Sequence, residues 1–253
     1  LILEMLKFFQ DSTIQELSKR VQKMYPEHYN FDEKLKTIFQ NFRFYFPDKP
    51  TPNVYTYITG YNYGVVVLRE DMLGIGLDFF LGRDHEGYHP KIFPQYIQNT
   101  MEEAYWLPRC AKALSTSIVS PPSKSRLIDY MIHEGKLMYV SKKLLPYAPD
   151  SLIFPYASEK IEWMKSNELE TWAALLKEEL LYSDQEPKFR KLISPSPNGP
   201  SFMPPESPGE AGSWIGWRIV DQFMQRNQEY TLQDLINEMD SQKILDLSRY
   251  KPR

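Results

Sequence analysis

The 253-residue sequence has a single cysteine, Cys110. One thiol closes no internal disulfide and supplies neither a zinc knuckle nor a redox pair, so disulfide scaffolds and Cys-x-x-Cys chemistry are excluded. Compartment stays open, because a reducing cytosol and an exported chain long enough to fold without bridges both account for the count. An excess of one charge is also missing. Thirty Lys plus Arg face 33 Asp plus Glu, a formal net charge of -3, which gives no general attraction to phosphate backbones or anionic lipid. We expect no nucleic-acid partner. No apolar run of about eighteen residues occurs, so no membrane-spanning helix is expected. Glycine is scarce, with 11 residues against 20 prolines. Few positions therefore need positive φ, and the connections are stiffened by proline. Gly74-Ile75-Gly76 reads as part of a strand, and no glycine-rich strand-to-helix turn follows it to cradle a phosphate. Glu210-Ala211-Gly212-Ser213-Trp214 lacks the first glycine of a Gly-x-Ser-x-Gly elbow. Nucleotide binding and a serine nucleophile are not expected, and no cofactor is.

What the sequence does have is a large core and many rings. Hydrophobic residues make up 42% and aromatics 14%, with 17 tyrosines. Buried tyrosines must place their hydroxyls, which predicts either a core threaded with hydrogen bonds or a groove lined by rings. Ile14, Leu17, Val21 and Met24 repeat at helical spacing, with Ser12 and Thr13 as candidate caps. Leu35, Ile38, Phe39 and Phe42 repeat after Asn30 and Asp32 and stop at Pro47 and Pro50, giving an antiparallel helical pair in residues 1–50. Residues 51–92 change character. Segments 53–59, 63–68 and 73–81 are β-branched and aromatic, with turn residues between them, and read as a small, mainly antiparallel sheet. Residues 93–253 are helical, broken at Pro121-Pro122 and by a proline-rich loop at 193–208. Segment 126–145 is apolar on nearly all faces and is expected to be buried. Segment 158–181 reads as one further helix, and 211–225, 232–239 after Thr231 as a cap, and 241–247 close the chain. There is no internal repeat. The expected fold is α+β, in a single domain over 1–253.

Two clusters carry candidate chemistry. His133-Glu134 lies within the buried helix, and a zinc peptidase helix would read His-Glu-x-x-His, because histidines four apart share a face and reach one metal while the glutamate acts on its water. Here the fourth residue after His133 is Leu137. His133 reads as a core histidine, and Glu134 as a partly desolvated carboxylate whose proton affinity rises unless it is paired. Asp84, His85, Glu86 and His89, with Asp78 just before them, combine carboxylates and imidazoles that suit a divalent ion, although their spacing fits no specific motif and a solvated turn is the plainer reading. Gly212 and Gly216, one helical turn apart and flanked by Trp214 and Trp217, make a smooth stripe that admits a close neighbour.

Several ordered blocks resemble the family of the gliding-motility lipoprotein GldB. They are Gly76-Leu77-Asp78-Phe79-Phe80-Leu81-Gly82, Phe93-Pro94-Gln95-Tyr96-Ile97 and Met131-Ile132-His133-Glu134-Gly135-Lys136-Leu137-Met138-Tyr139. Pro204-Pro205-Glu206-Ser207-Pro208-Gly209 running into 212–220, and Ser248-Arg249-Tyr250-Lys251-Pro252, follow in the same order. The resemblance implies an outer-membrane lipoprotein facing the periplasm, held by a lipidated cysteine outside this sequence, that supports gliding motility and type IX secretion together with other envelope proteins. It also implies a distant similarity to zincin-type peptidases, with Leu137 in place of the second histidine.

Three functions follow as expectations. The first is a non-catalytic accessory domain, a metallopeptidase scaffold that has lost its metal clamp and acts through protein contacts, with Asp78, Lys136, Tyr139, Glu206, Trp214 and Trp217 as candidate cleft or interaction residues. The second is a zinc peptidase that keeps His133 and Glu134 and recruits ligands from the 84–89 loop or Glu206. The third is a peptide- or glycan-binding module that uses an aromatic cleft.

Overall fold

A computed structural model describes residues 2–154, 156 and 158–252. It is mostly helical with one small sheet, which is the expected α+β class. The chain divides into two compact units, Leu1–Leu114 and Ser115–Arg253.

The first unit opens with helices α1 (Ile2–Gln10), α2 (Ser12–Met24) and α3 (Phe31–Tyr45). The cap of α2 is Asp11, one residue earlier than expected: its carboxylate accepts from Thr13 N at 2.8 Å and Ile14 N at 3.3 Å. A carboxylate both satisfies orphan N–H groups and complements the positive end of the helix. Asn30 caps α3 by accepting from Glu33 N at 3.0 Å, and the helix buries Leu35, Ile38 and Phe42 before ending ahead of Pro47.

Strands β1 (Asn53–Tyr57), β2 (Val65–Leu68) and β3 (Met72–Gly76) form a sheet of order β1-β3-β2. The sheet is mixed and not mainly antiparallel. β2 and β3 form the expected antiparallel hairpin, turned at Arg69 with φ 57°, but β1 lies on the other side of β3 and runs parallel to it. Apolar alternation marks a strand without choosing its neighbour, and only β3 has buried residues on both faces, Leu73 and Ile75 on one and Gly74 and Gly76 on the other, so it takes the centre. Gly74 has a specific reason to be glycine: the Tyr57 ring lies where its Cβ would stand, with Tyr57 Cε1 2.5 Å away. The segment expected to stay extended to residue 81 leaves the sheet at Gly76 and turns as a 3-10 helix over Leu77–Phe80. Two buried hydroxyls tie this turn down. Tyr25 O–H donates to the Phe80 carbonyl at 2.7 Å, and Tyr88 O–H to the Asp78 carbonyl at 2.8 Å. The hydrogen-bonded tyrosine core expected from composition is present here. Helices α4 (Gln95–Gln98) and α5 (Glu103–Ile118) follow, and the boundary between the units falls inside α5.

The second unit contains α6 (Leu127–Leu144), α7 (Asp150–Ile153), α8 (Ser158–Ser166), α9 (Glu168–Lys177), α10 (Glu186–Ile193), α11 (Ala211–Arg226), α12 (Leu232–Asn237) and α13 (Ser241–Ser248). The single helix expected over 158–181 is two. Asn167 Nδ2 donates back to the Trp163 carbonyl at 2.8 Å, closing α8, and its own backbone starts α9. A short polar side chain competing for the backbone is the reason. Thr231 caps α12 as expected, in a reciprocal box with Asp234. The proline-rich loop is ordered and folded on itself, with Gly199 N donating to the Ser207 carbonyl at 2.9 Å; residues 207–210 are buried while Pro195, Pro197, Pro204 and Pro205 are exposed.

The core of this unit is the crossing of α6 and α11. Gly135 and Gly216 meet there: a Cβ on Gly135 would overlap the Gly216 carbonyl group and stand 2.7 Å from Trp217 N, and one on Gly216 would overlap the Met131 carbonyl. Gly212 allows a close approach of α10 as well, with Leu192 O 2.8 Å from where its Cβ would lie. The small-residue stripe therefore serves two neighbours at once.

Candidate functional site

The helix α6 carries the one local pattern that resembles a catalytic motif, and its burial follows from its sequence. Leu127, Ile128, Met131, Ile132, Leu137, Met138, Val140 and Leu144 are buried, so apolar side chains surround the axis and polar ones must find partners. At its start, Arg126 Nε and Nη2 grip the buried Asp129 carboxylate at 2.8 and 3.0 Å. Asp129 is held below the usual carboxylate range: desolvation opposes this, and the hydrogen bonds from Arg126 and Ser241 outweigh it.

His133 and Glu134 are both half-buried. His133 Nδ1 stands 3.1 Å from the Ser120 carbonyl, which can only accept, so Nδ1 carries the proton of that bond. Leu137, where a second imidazole would complete a zinc clamp, is 2% exposed. Lys136, the residue before it, is 6% exposed and its ammonium donates to the Glu238 main-chain carbonyl. Burial pushes this lysine down to about 8, against a smaller opposing pull from Glu238. Tyr139 is buried with Lys143 Nζ 5.1 Å from its ring centre. Trp214 and Trp217 pack with Phe154 into a cluster of rings with centroids 4.8–5.0 Å apart, and both are buried in the core. Glu206 is exposed at the tip of the proline-rich loop, its main-chain carbonyl accepting from Lys160 Nζ at 2.6 Å.

The second cluster lies in the first unit, and its members take separate roles. Asp78 is fully buried, and its Oδ2 accepts from Thr59 N at 3.0 Å and Tyr61 N at 2.8 Å. It pins the turn at Gly60 and Tyr61, whose φ values of 66° and 64° are left-handed. Burial raises its proton affinity and those backbone N–H groups oppose the rise. His85 Nε2 meets the Tyr61 hydroxyl at 2.7 Å, and burial lowers its proton affinity. His89 is exposed with Nδ1 accepting from Lys91 N at 3.2 Å, and Asp84 is exposed. Among the described residues, no three His, Cys, Asp or Glu side chains are grouped so as to hold a metal ion. The residues present do not fit a zinc centre.

A cavity of about 420 Å³ opens beside α12, lined by Glu229, Tyr230, Asp234, Asn237, Glu238 and Lys243. Its polar groups largely satisfy one another: Asp234 serves the α12 cap, and Lys243 Nζ meets the Glu238 carboxylate at 2.6 Å.

Sequence reasoning did not single out the buried polar groups that come from distant segments. Glu168 is 3% exposed and accepts from Arg218 Nε at 3.0 Å and Tyr250 O–H at 2.9 Å. Tyr156, Ser207, Ser213 and Trp214 each bury a polar atom that meets no partner among the described residues. Arg218 and Tyr250 fall inside blocks that carry the family resemblance and Glu168 does not; only spatial proximity joins the three.

No helix among the described residues is long and apolar enough to cross a membrane. No curated protein and no solved structure matches the chain. The model of one family, described as gliding motility protein GldB and named as a lipoprotein family, matches residues 1–252. The ordered blocks from Gly76 to Pro252 thus agree with a match over essentially the whole chain: it belongs to the GldB family, and that membership implies a role in gliding motility at the cell envelope.

Proposed function

We propose that this chain is the non-catalytic domain of a lipid-anchored protein on the periplasmic side of the outer membrane, supporting gliding motility and the associated type IX secretion by holding other envelope proteins. The observation that carries this reading is the state of α6. An aliphatic residue, Leu137, fills the buried position one turn after His133, and the polar groups beside it are engaged in structure, His133 with the Ser120 carbonyl and Lys136 with the Glu238 carbonyl. A helix committed in this way serves the packing of the unit. The ordered proline-rich loop supports a contact role, since it presents exposed Pro204, Pro205 and Glu206 from a buried base at a small entropic cost of ordering.

Metal analysis and peptide hydrolysis on protein purified without a metal-affinity tag test the reading together. The expected result is less than stoichiometric zinc after equilibration and no turnover, with His133→Ala lowering the unfolding midpoint. Stoichiometric zinc lost in His133→Ala, together with hydrolysis of a polypeptide, would make the domain a peptidase.

A further inference from the structure

Arg109 is a half-buried cation with no carboxylate partner among the described residues. It projects from α5 in the first unit, one turn after Tyr105. Its Nη2 donates to Thr100, at 2.6 Å to Oγ1 and 3.4 Å to the carbonyl, while Nε and Nη1 donate to no acceptor among the described residues. The guanidinium carbon stands 5.4 Å from the centre of the Phe80 ring. Nη1 lies against Gly64, 3.3 Å from where a Cβ would stand, with Phe79 alongside. Two other arginines of this unit, Arg20 and Arg83, each have a carboxylate partner. Buried charges are ordinarily paired, because a cation removed from water without a counter-charge is unfavourable.

The acids of the neighbourhood are committed elsewhere. Asp78 holds the 59–61 turn through Oδ2 and its buried Oδ1 meets no donor among the described residues, Arg109 included, while Glu102 pairs with Arg83 at 2.5 Å and Glu103 accepts from Tyr29 O–H at 2.7 Å. Burial lowers the proton affinity of Arg109, and the nearby Tyr88 and Tyr105 oppose the shift, with no acid contributing. A guanidinium remains protonated under such conditions and keeps a rigid fork of donors.

We propose that Arg109, held by the buried Thr100 and Phe80, is the anchor of a carboxylate-binding site in the first unit, with the half-buried Tyr105 flanking the anion and the half-buried Phe79 contacting an apolar group next to it. A carboxylate fits better than a phosphate: one unpaired guanidinium balances a monoanion, its planar fork matches a planar anion, and the bordering rings suit an organic acid. The inference stands on Arg109 and does not depend on the contact function proposed above.

Hippurate, an aromatic acid with a free carboxylate, is a suitable probe. Titration of the whole chain at constant ionic strength, followed by calorimetry and by the Arg109 Nε–H resonance, should give saturable binding with a shift of that resonance. Binding should weaken at least tenfold for hippuramide, for Arg109→Met and for Arg109→Lys, with each variant's unfolding midpoint checked. Should Arg109→Met fail to fold, the lysine variant carries the comparison, because it keeps the charge and loses the fork. Equal binding by folded Arg109 variants, or no saturable shift, overturns the site. Tighter binding of inorganic phosphate than of hippurate overturns the carboxylate assignment.

Discussion

Gly135 of α6 and Gly216 of α11 face each other so closely that neither can carry a methyl group without striking the backbone of the opposite helix. The obstacle on each side is main chain, which cannot swing away as a flexible side chain would. Alanine at either position improves helix propensity by roughly 1 kcal/mol. Overpacking against backbone opposes this by about 1–3 kcal/mol, occasionally more. With main chain as the obstacle the cost takes the upper end of that range, so both Gly135→Ala and Gly216→Ala are expected to destabilise the protein by about 2 kcal/mol in denaturant unfolding. An unchanged midpoint for either would disprove the close crossing.

The buried Glu168 carboxylate binds both Arg218 and Tyr250. Removing the cation strands a charge in the core, whereas removing the hydroxyl deletes one hydrogen bond. Arg218→Met should destabilise by about 3 kcal/mol or more. Tyr250→Phe should do so by about 1 kcal/mol. The order of the two variants in equilibrium unfolding is the check; the reverse order would contradict the assigned roles.

Lys136 gives a pH dependence of definite sign. Its ammonium is harder to keep charged in the folded protein, at about 8, than in the unfolded chain at 10.5. Between these values the unfolded state binds more protons, so this residue's contribution to stability rises with pH from about 8 to about 10.5 and its penalty is fully present below that window. The difference between wild type and Lys136→Met isolates it from the tyrosines that titrate nearby. That difference should change by about 3 kcal/mol across the window. A flat difference would show that the amine is not desolvated.

Cys110 has no exposed surface, and burial pushes its thiol far up. The thiolate is the reactive form, so native protein should resist iodoacetamide while unfolded protein is labelled at once. Mass spectrometry after a brief exposure at neutral pH is sufficient, and rapid labelling of the native state would place the residue elsewhere.

Much of the fold follows from local pattern. The run from Leu127 to Leu144 could only be a buried helix, Asn30 and Thr231 could start helices because their side chains reach the free N–H groups, and Gly212 and Gly216 announced a close neighbour. The ordered blocks also carried the family. Other features needed contacts between remote segments. The same β-branched segments are compatible with several strand orders, and the parallel placement of β1 beside β3 was decided by which strand could be buried on both faces.

The sequence by itself determined the buried helix at 127–144 and the capped starts of the helices at Phe31 and Leu232, that no second histidine stands at position 137, and that the chain is a GldB family member. Tertiary structure alone decided which polar groups are buried and with what: that Lys136 meets a carbonyl a hundred residues away, that Glu168 is shared by Arg218 and Tyr250, and that Arg109 is left without a counter-charge among the described residues. The physical reason is one of range. Helix propensity, capping and apolar periodicity act over a few neighbouring residues, whereas desolvation and charge pairing depend on whatever the fold brings within hydrogen-bonding distance.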